Sequence, residues 1–365
     1  MRILMIIDGL PGGGAEKVLL TLSQGFIAAG YRVTLFSLRT ICDYPIPTGI
    51  NYRIIADECG SPWRKLLELS RRAKKMDSAI IKDERQNGKF DLIISHLHKT
   101  DRIVARSRVL DPQKVWFCLH GMFSPSYLAN RNGFSRWLKR YKIGRIYQHR
   151  NIIAVSQAVL TDINTEFSVT PAKSAVINNP FDIEDIRRLA SEPCDLAGQD
   201  YLIHVGRLHP FKRHDRLLRS YASTGIKAPL IIMGKGGSRE LTALKAMAKE
   251  LNIADRVMFR DFSANPYPYI KHARMLILSS DSEGFGNVLV EALICQTPVV
   301  STRCPGGPAG ILTGELADSL AELNDNSLAE KMLEIYEKPP YIDPQRLEAY
   351  SIANICNKYV ALTEH

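Results

Sequence analysis

Residues 275–294 read MLILSSDSEGFGNVLVEALI. The four apolar residues 275–278 predict a buried strand, and the run 288–294 predicts a helix. Between them, Gly284 and Gly286 let the chain turn tightly and bring backbone amides close to a ligand. A strand, a glycine-containing loop and a helix in this order form a βα unit, which is the repeating element of a parallel sheet.

The same alternation extends in both directions along the chain, with helical patterns such as 16–29, 215–221, 240–251 and 288–294 between apolar runs. Alternating strands and helices favour mostly parallel, doubly wound sheets. The predicted strands are 2–7, 32–37, 92–95, 114–119, 151–155, 201–205, 230–233, 256–260, 275–278 and 298–301.

The alternation stops once, at residues 192–199, where Pro193 and Gly198 mark a linker. The chain has 365 residues, and a single core rarely grows beyond ~250–300 residues. The sequence therefore predicts an α/β fold of two Rossmann-like, doubly wound domains that face a cleft. We expect domains at residues 1–190 and 191–345, and a helical C-terminal segment, residues 346–365, that packs back on the first domain; its helical pattern covers 344–362.

Composition limits the cellular context. The first apolar run, residues 3–7, is much shorter than the ~20 residues of a membrane span and has no signal-peptide features, which favours a cytoplasmic protein. The seven cysteines are scattered without a CxxC pair, so neither zinc nor a disulfide framework is expected, and Cys118 and Cys295 are predicted to lie in the core. A net charge of +10 favours an anionic partner: a nucleotide, a phospholipid or a nucleic acid.

The loop and helix at 283–291 carry the most specific chemical signal. Open amides at a helix start, together with the positive end of the helix dipole, suit a diphosphate. Glu283 lies in the loop and Glu291 about two turns into the helix, so one carboxylate can contact sugar hydroxyls and the other a ribose diol. The alternative is an ordinary helix start with two solvated glutamates.

A second signal follows the predicted strand 201–205. Residues 205–212 read VGRLHPFK and place Arg207 and Lys212 in a loop after a strand. Both side chains suit a pyrophosphate and could neutralise a leaving nucleoside diphosphate, which is a metal's role in other enzymes. The alternative is an exposed basic loop.

A glycine-rich loop, residues 9–16 (GLPGGGAE), follows the first strand and is typical of a phosphate- or substrate-approach loop. It is not a Walker A loop, because Lys17 is followed by Val18. The second strand ends in LFS without an acidic residue for a ribose, which disfavours a nicotinamide site and a Rossmann oxidoreductase.

Three histidines also follow predicted strands. His120 follows the strand 114–119, where an imidazole could bind substrate hydroxyls, or could be a hydrogen-bonded structural residue. His96 and His98 follow the strand 92–95 with the same two interpretations. None of them forms an HExxH motif, so the sequence does not predict a zinc site.

Two basic stretches with interleaved aromatic residues lie in the first half of the chain. Residues 63–75 contain six cations and Trp63, and residues 131–150 contain seven cations, no acid, and Trp137 and Tyr141. Such helices suit an anionic membrane surface. The alternative is an ordinary helix with an apolar stripe in the core and basic residues in water.

With these motifs together, the sequence resembles glycosyltransferase family 4, whose members have the GT-B fold. The resemblance covers most of the chain. Residues 283–291 are similar to the family's Glu-x7-Glu signature, which continues into 296–300. The other matching segments are 12–16 (GGGAE), 154–156 (AVS), 178–182 (NNPFD) and 205–212.

The resemblance implies a retaining transfer from a nucleotide-sugar, usually UDP-linked, with no metal and no cofactor. In that family the residues that match Arg207 and Lys212 hold the diphosphate, the match of Glu291 binds ribose, and the match of Glu283 contacts the donor sugar. The match of His120 lies near the reacting centre. The residues expected to act in catalysis are Glu283, His120, Lys212 and Arg207, and those expected to bind the donor are Gly13, Gly14, Gly206, Arg207, Lys212, Phe285, Gly286, Asn287, Val288 and Glu291.

The predicted function is transfer of a hexose or N-acetylhexosamine from a UDP-sugar to a lipid-linked glycan, in surface polysaccharide or lipopolysaccharide core synthesis. The enzyme would work at the inner face of the cell membrane as a peripheral protein. The alternative is a non-catalytic nucleotide-sugar-binding or scaffold protein of the same fold. Nucleic-acid binding is not expected, because the basic residues come without a recognition module.

Overall fold

The computed structural model describes residues 1–57 and 67–364, which form two compact units. The first unit contains Met1–Pro180 and the C-terminal segment from Tyr350, and the second contains Phe181–Ala349. The second unit thus begins before the predicted linker, because the helix Ile183–Leu189 packs against two helices of that unit. No helix among the described residues is long and apolar enough to span a membrane.

The first unit is built on a sheet of seven parallel strands in the order β3-β2-β1-β4-β5-β6-β7. β1, β4 and β5 are wholly buried. Their sequences are mainly apolar because helices cover both faces of a parallel sheet. The strands are β1 (Arg2–Ile7), β2 (Arg32–Ser37), β3 (Asn51–Ile54), β4 (Leu92–His96), β5 (Val115–Leu119), β6 (Asn151–Ala154) and β7 (Ser174–Val176).

Helices connect these strands and cover the sheet. Leu19, Leu22 and Phe26 of the first helix pack against Met5 and Leu35 of the sheet in one core cluster. The helices are α1 (Gly14–Ala28), α2 (Glu68–Asn87), α3 (His98–Val104), α4 (Phe123–Leu128), α5 (Gly133–Tyr147) and α6 (Gln157–Glu166).

The second unit repeats this plan with six parallel strands in the order β10-β9-β8-β11-β12-β13. Its strands are β8 (Leu202–Val205), β9 (Leu230–Met233), β10 (Val257–Arg260), β11 (Met275–Leu278), β12 (Val299–Thr302) and β13 (Leu320–Ala321). Its helices are α7 (Ile183–Leu189), α8 (His214–Thr224), α9 (Ser238–Glu250), α10 (Tyr267–His272), α11 (Asn287–Ile294), α12 (Pro308–Ile311), α13 (Asp325–Glu337) and α14 (Pro344–Leu347).

The C-terminal helix α15 (Ile352–Val360) returns to the first unit and packs on α1. The two helices lie so close that a Cβ atom on Gly25 would come within 2.2 Å of Ile352. The C-terminal segment packs on the first unit, as predicted, but the prediction of one continuous helix over 344–362 is wrong. Ser351 interrupts it, because its side chain accepts a hydrogen bond from the amide of Asn354 and caps a new helix.

The order of the strands reverses at β1/β4 in the first sheet and at β8/β11 in the second. Ligands of open parallel sheets bind outside the carboxyl ends of the strands at such switch points. The loops that follow β1, β4, β8 and β11 carry most of the sequence-predicted site residues. The predicted pair of Rossmann-like domains is confirmed, and each sheet brings its own set of polar residues to one edge.

Candidate functional site

In the second unit, neighbouring strands bring together the cation and the carboxylate that the sequence singled out. Lys212 follows β8 and Glu283 follows β11, and Lys212 Nζ lies 2.6 Å from Glu283 Oε1. The Lys212 side chain is 25% exposed and that of Glu283 11%, so this ion pair is largely shielded from water. The sequence predicted both residues but not their pairing.

The backbone around this pair is fixed by side-chain hydroxyls. The Ser280 hydroxyl donates to Glu283 Oε1 at 2.5 Å, and the Ser279 hydroxyl donates to the Lys212 carbonyl at 2.7 Å. The amide of Glu283 donates to the Pro305 carbonyl at 3.0 Å. Three segments of chain therefore hold the ammonium and the carboxylate in one geometry.

The start of α11 depends on glycine. Gly286, its N-cap, has a φ of 95°, in the region that side chains disfavour. Gly307 belongs to the next loop, and a Cβ atom there would lie 1.9 Å from the carbonyl oxygen of Phe285. The two loops pack backbone to backbone, which places the positive end of the helix dipole beside Glu283.

Glu291 lies further along α11, half-buried, and accepts a hydrogen bond from the Tyr267 hydroxyl at 3.2 Å. Burial and then the nearby carboxylate raise the pKa of Tyr267 well above its usual value, so the phenol remains a donor. Tyr267 lies on α10, and its role was not predicted from the sequence.

Ion pairs tie α8 to the loop that carries Glu283. Asp281 Oδ2 lies 2.8 Å from Arg213 Nη1, and Asp281 Oδ1 lies 2.7 Å from Arg216 Nη2. Arg216 also donates to the Ser279 carbonyl at 3.0 Å. These residues escaped the sequence analysis, because their meeting follows from the adjacency of β8 and β11.

Arg207 and its neighbours complete the predicted set in the second unit. Arg207 is exposed in the loop after β8, and no described carboxylate forms an ion pair with it. A Cβ atom on Gly234 would lie 1.9 Å from the Gly206 carbonyl oxygen, so the loop after β9 packs tightly on this one. Phe285 is buried, and Val288 is half-buried in the first turn of α11.

In the first unit, the glycine-rich loop forms the start of α1. Gly13 is the N-cap of the helix and Gly14 its first residue. The Tyr44 hydroxyl donates to the Gly13 carbonyl at 3.0 Å, and a Cβ atom on Gly13 would lie 2.3 Å from Glu16 Oε2. A side chain at residue 13 would therefore displace the buried Glu16 carboxylate.

Asp8 ends β1 and pairs with three cations. Arg39 Nη2, Arg72 Nη2 and Lys99 Nζ lie 2.6, 2.7 and 3.0 Å from its carboxylate. Burial alone would raise the pKa of Asp8, but hydrogen bonds from Arg72 and Lys99 and the charge of Arg39 outweigh it and lower the pKa. The sequence analysis did not single out this cluster.

Two arginines of the first basic stretch form ion pairs within the first unit. Arg72 is buried against Asp8, and Arg71 Nη2 pairs with Asp57 at 2.5 Å, so neither forms a free cationic face. The membrane interpretation of residues 67–75 is therefore wrong for these two arginines. Residues 63–66 of the stretch, including Trp63, lie outside the described residues.

His120 meets His96 at the ends of β5 and β4. His120 Nε2 lies 2.8 Å from His96 Nδ1, and the rings stack with centroids 5.1 Å apart. Burial lowers the pKa of His120 to about 4, and burial together with His120 lowers the pKa of His96 well below its usual value. Both rings are neutral at physiological pH, and one ring donates to the other.

Cys118 lies beside this pair, and the ligand atoms of His96, Cys118 and His120 lie within 4.8 Å of one another, close enough to bind a metal ion together. The fit is poor in this geometry. Two imidazoles on one tetrahedral zinc, at Zn–N distances of ~2.0–2.1 Å, hold their nitrogens about 3.3 Å apart, whereas these lie at hydrogen-bond distance. Burial raises the pKa of the Cys118 thiol to about 12, which disfavours the thiolate a metal needs.

His98 belongs to a different network. His98 Nδ1 lies 2.9 Å from the Tyr147 hydroxyl, which donates to Asp101 at 2.7 Å. Ser95 donates to the other oxygen of Asp101 at 2.5 Å. Burial raises the pKa of Asp101 to about 8, and burial, Lys139 and Arg102 lower the pKa of His98 to about 3. The structure therefore separates His98 from the His96–His120 pair.

Comparison with known proteins identifies the family. Residues 12–185 match the profile of Glycosyltransferase Family 4, and residues 195–353 match that of Glycosyl transferases group 1. A Campylobacter jejuni relative, the N-acetylgalactosamine-N,N'-diacetylbacillosaminyl-diphospho-undecaprenol 4-alpha-N-acetylgalactosaminyltransferase, is 29% identical over 337 residues, which cover 91% of this chain and 89% of the relative. The chain belongs to glycosyltransferase family 4.

A further relative of this glycosyltransferase agrees with the assignment. A D-inositol 3-phosphate glycosyltransferase of Mycolicibacterium smegmatis is 34% identical over 150 residues, which are 39% of this chain and 34% of that protein.

Solved structures share the fold. Anabaena HepE in complex with UDP and glucose matches with a TM-score of 0.70 at 19% identity, covering 100% of this chain and 97% of that one. The lipopolysaccharide outer core galactosyltransferase WaaB matches with a TM-score of 0.71 at 18% identity, covering 99% of each chain. This glycosyltransferase has the GT-B fold, as predicted.

Proposed function

We propose that this glycosyltransferase moves a hexose or N-acetylhexosamine from a UDP-sugar to a lipid-linked glycan, with retention of configuration and without a metal ion. The observation that carries the proposal is the ion pair of Lys212 with Glu283 beside the N-terminus of α11. A shielded ammonium, a carboxylate and a helix dipole at one strand edge suit a sugar diphosphate, whose phosphates seek the cation and the amides while the sugar hydroxyls seek the carboxylate.

Each donor group has a candidate partner. The diphosphate would be held by the side chains of Lys212 and Arg207 and by the backbone of Gly206 and of residues 285–288. Glu291, oriented by Tyr267 at 3.2 Å, would bind the ribose diol. Glu283 would accept hydrogen bonds from donor-sugar hydroxyls. The structure of HepE with UDP supports the choice of a uridine nucleotide, since that protein has the same fold.

The reaction breaks the bond between the anomeric carbon and the β-phosphate oxygen and forms a bond from an acceptor hydroxyl oxygen to the same carbon, on the same face. The acceptor proton passes to the departing phosphate oxygen, and UDP leaves. Negative charge grows on the β-phosphate in the transition state, where Lys212, Arg207 and the helix dipole stabilise it. No protein nucleophile is required, so Glu283 is a donor-binding residue.

His120, together with the Gly13–Gly14 loop, would bind substrate on the first unit. The His96 ring fixes His120 at 2.8 Å through its Nε2 atom. His120 Nδ1 is buried and has no hydrogen-bond partner among the described residues.

The Campylobacter jejuni relative supports the proposed acceptor class, since its name describes transfer of N-acetylgalactosamine to a glycan on diphospho-undecaprenol. Such an acceptor resides in a membrane, and α5 offers a matching surface. Phe134, Trp137 and Tyr141 stack along one face of α5 and are 74, 56 and 51% exposed. Aromatic side chains among cations suit the interface of an anionic membrane, which supports a peripheral location at the cytoplasmic leaflet.

The test is a panel of UDP-sugars with a glycan linked to diphospho-undecaprenol as acceptor, followed by UDP release and by nuclear magnetic resonance of the new linkage. One UDP-sugar should be consumed with retention, and it should raise the unfolding temperature of the protein, because a ligand at 100 times its Kd adds ~2.7 kcal/mol. Stabilisation by a UDP-sugar without turnover on any acceptor would favour the non-catalytic alternative. Inversion at the anomeric carbon would contradict the proposal.

A further inference from the structure

A cavity of about 720 Å³ lies between α3 and α5 of the first unit, and none of its lining residues belongs to the donor-binding set. Ligand pockets commonly have volumes of ~300–1,000 Å³. No described lining residue is acidic, and six are cations: Arg102, Arg106, Lys139, Lys142, Arg145 and Arg150.

These six charges are not compensated within the part of the chain that the structure describes. None of them forms an ion pair with a described carboxylate. By contrast, Arg136, which lies on α5 but outside the cavity, pairs with Glu166 at 3.2 Å. Burial, and then Arg131, Arg102 and Lys142, lower the pKa of Lys139. Mutual repulsion among the cations is relieved when an anion binds between them.

Two of the cations are held in place by the backbone. Arg150 donates to the Ala105 carbonyl at 3.1 Å, and Arg106 donates to the Arg102 carbonyl. Their positions at the cavity are therefore set by α3 in advance of any ligand. A preorganised cluster of guanidinium groups favours phosphate groups, which accept paired hydrogen bonds.

The cavity also has an apolar side. Leu138, Ile143 and Ile146 of α5 line it, and so does Tyr141, the last ring of the exposed aromatic row. A dianionic head with an attached hydrocarbon chain would match both parts of this surface. A free polyanion would make no use of the aromatic row.

One lining residue places the cavity near the carboxyl end of β4. His98 lines the cavity and follows β4, and β4 pairs directly with β5, the strand that precedes His120. The cavity therefore extends along α3 and α5 from the residue that follows β4.

We propose that this cavity binds the diphosphate that joins the acceptor glycan to its polyprenyl lipid. The assignment rests on the proposed function for the nature of the acceptor. It names a second phosphate site on the chain, separate from the donor diphosphate site at Lys212.

The test measures binding of farnesyl diphosphate and of inorganic pyrophosphate to the full chain by calorimetry, with saturating UDP present to occupy the donor site. The variant is Arg102→Gln with Lys139→Gln. The matched control is Arg131→Gln with Arg140→Gln, which removes the same charge from the same region outside the cavity lining. We expect farnesyl diphosphate to bind the wild type more tightly than pyrophosphate, and the cavity variant to weaken it at least tenfold, since charged hydrogen bonds contribute ~1.5–3 kcal/mol each.

Unchanged UDP affinity and an unchanged unfolding temperature in the cavity variant would show that the loss is local and would support the assignment. Equal weakening in the control would overturn it in favour of general surface charge. Absence of farnesyl diphosphate binding in the presence of saturating UDP, or its displacement by phosphatidylglycerol vesicles without isoprenoid lipid, would also overturn it. Failure of the proposed function is a separate result: the wild type would not turn over any UDP-sugar, whatever the cavity binds.

Discussion

In the proposed function, the ion pair of Lys212 and Glu283 serves two parts of one substrate. The ammonium has three N–H donors and uses one of them on the carboxylate at 2.6 Å. The remaining donors can bind a diphosphate while Glu283 remains in place for the sugar. The shielding of the pair strengthens its electrostatic effect on a developing negative charge.

Replacement of Lys212 by alanine should lower kcat/KM by roughly 10²–10³-fold, the usual effect of removing one donor to a developing anion. Lys331→Ala is a matched control, because Lys331 is also 25% exposed and pairs with Glu334 at 2.6 Å in the same unit. Steady-state UDP release measures both. A similar loss in the two variants would point to instability of the second unit, and full activity of Lys212→Ala would contradict the site assignment.

His120→Ala should lower kcat by about tenfold, as expected for the loss of one hydrogen bond to substrate, and leave UDP affinity unchanged. His96→Gln keeps a group that can hydrogen-bond His120, so its effect should be smaller. Calorimetry with UDP and initial rates separate the two quantities. Weaker UDP binding in His120→Ala with normal kcat would contradict the proposed role.

The sequence analysis could single out the separate candidate residues because most of them follow a strand, and strands are visible as apolar runs. It did not predict Tyr267 beside Glu291, Arg216 on Asp281, or His96 against His120. These contacts depend on which strands are neighbours in a sheet, and a sequence pattern does not contain that order.

At the scale of elements, the start of α11 is shaped by contact between two loops. Gly307 lies against the Phe285 carbonyl, and the backbone of Gly307 has an ordinary φ of −78°. Glycine is therefore required here because there is no space for a Cβ atom, and not because of an unusual backbone conformation.

Gly307→Ala should destabilise the second unit by about 1–3 kcal/mol, in the range of overpacked sites, and should weaken UDP binding because the loop 283–287 must shift. Gly310→Ala is the control, since no atom lies within 4 Å of a Cβ there. Chemical denaturation and UDP calorimetry test both. Indistinguishable variants would show that the loops separate without cost.

Helix α5 is the element that we assign to the membrane. Replacing Phe134 and Trp137 together by alanine should weaken binding to phosphatidylglycerol vesicles by roughly tenfold or more, since burial of each large apolar side chain contributes ~1.5–3 kcal/mol. The control is Phe262→Ala with Tyr341→Ala, two aromatic residues of the second unit that are 67 and 70% exposed. Vesicle co-sedimentation measures the difference, and equal binding of the two variants would exclude α5 as the membrane contact.

The ten predicted strands agree with the structure to within one residue at either end, and three short strands were missed. β3, β7 and β13 lie at the edges of their sheets. β3 is only partly buried and β13 has two residues, so neither produces an apolar run. The two basic stretches also looked alike in sequence, although α2 uses Arg71 and Arg72 in ion pairs and α5 leaves its aromatic face exposed.

At the scale of the whole molecule, the cations that give the chain its net charge of +10 differ in whether they are paired with carboxylates. Many cations are paired internally, as in the clusters around Asp8 and Asp281. Among the described residues, Arg207 and the six cations of the cavity between α3 and α5 form no ion pair with a carboxylate. We propose that the phosphates of the two substrates bind at these two places.

The most direct measurement of this claim is the rate of UDP release from the donor by the wild-type protein, before and after exhaustive treatment with EDTA. We expect the same rate in both samples, because in the proposed function Lys212, Arg207 and the start of α11 stabilise the leaving diphosphate. Loss of activity with EDTA, and its recovery on addition of a divalent ion, would show that a metal ion performs this role.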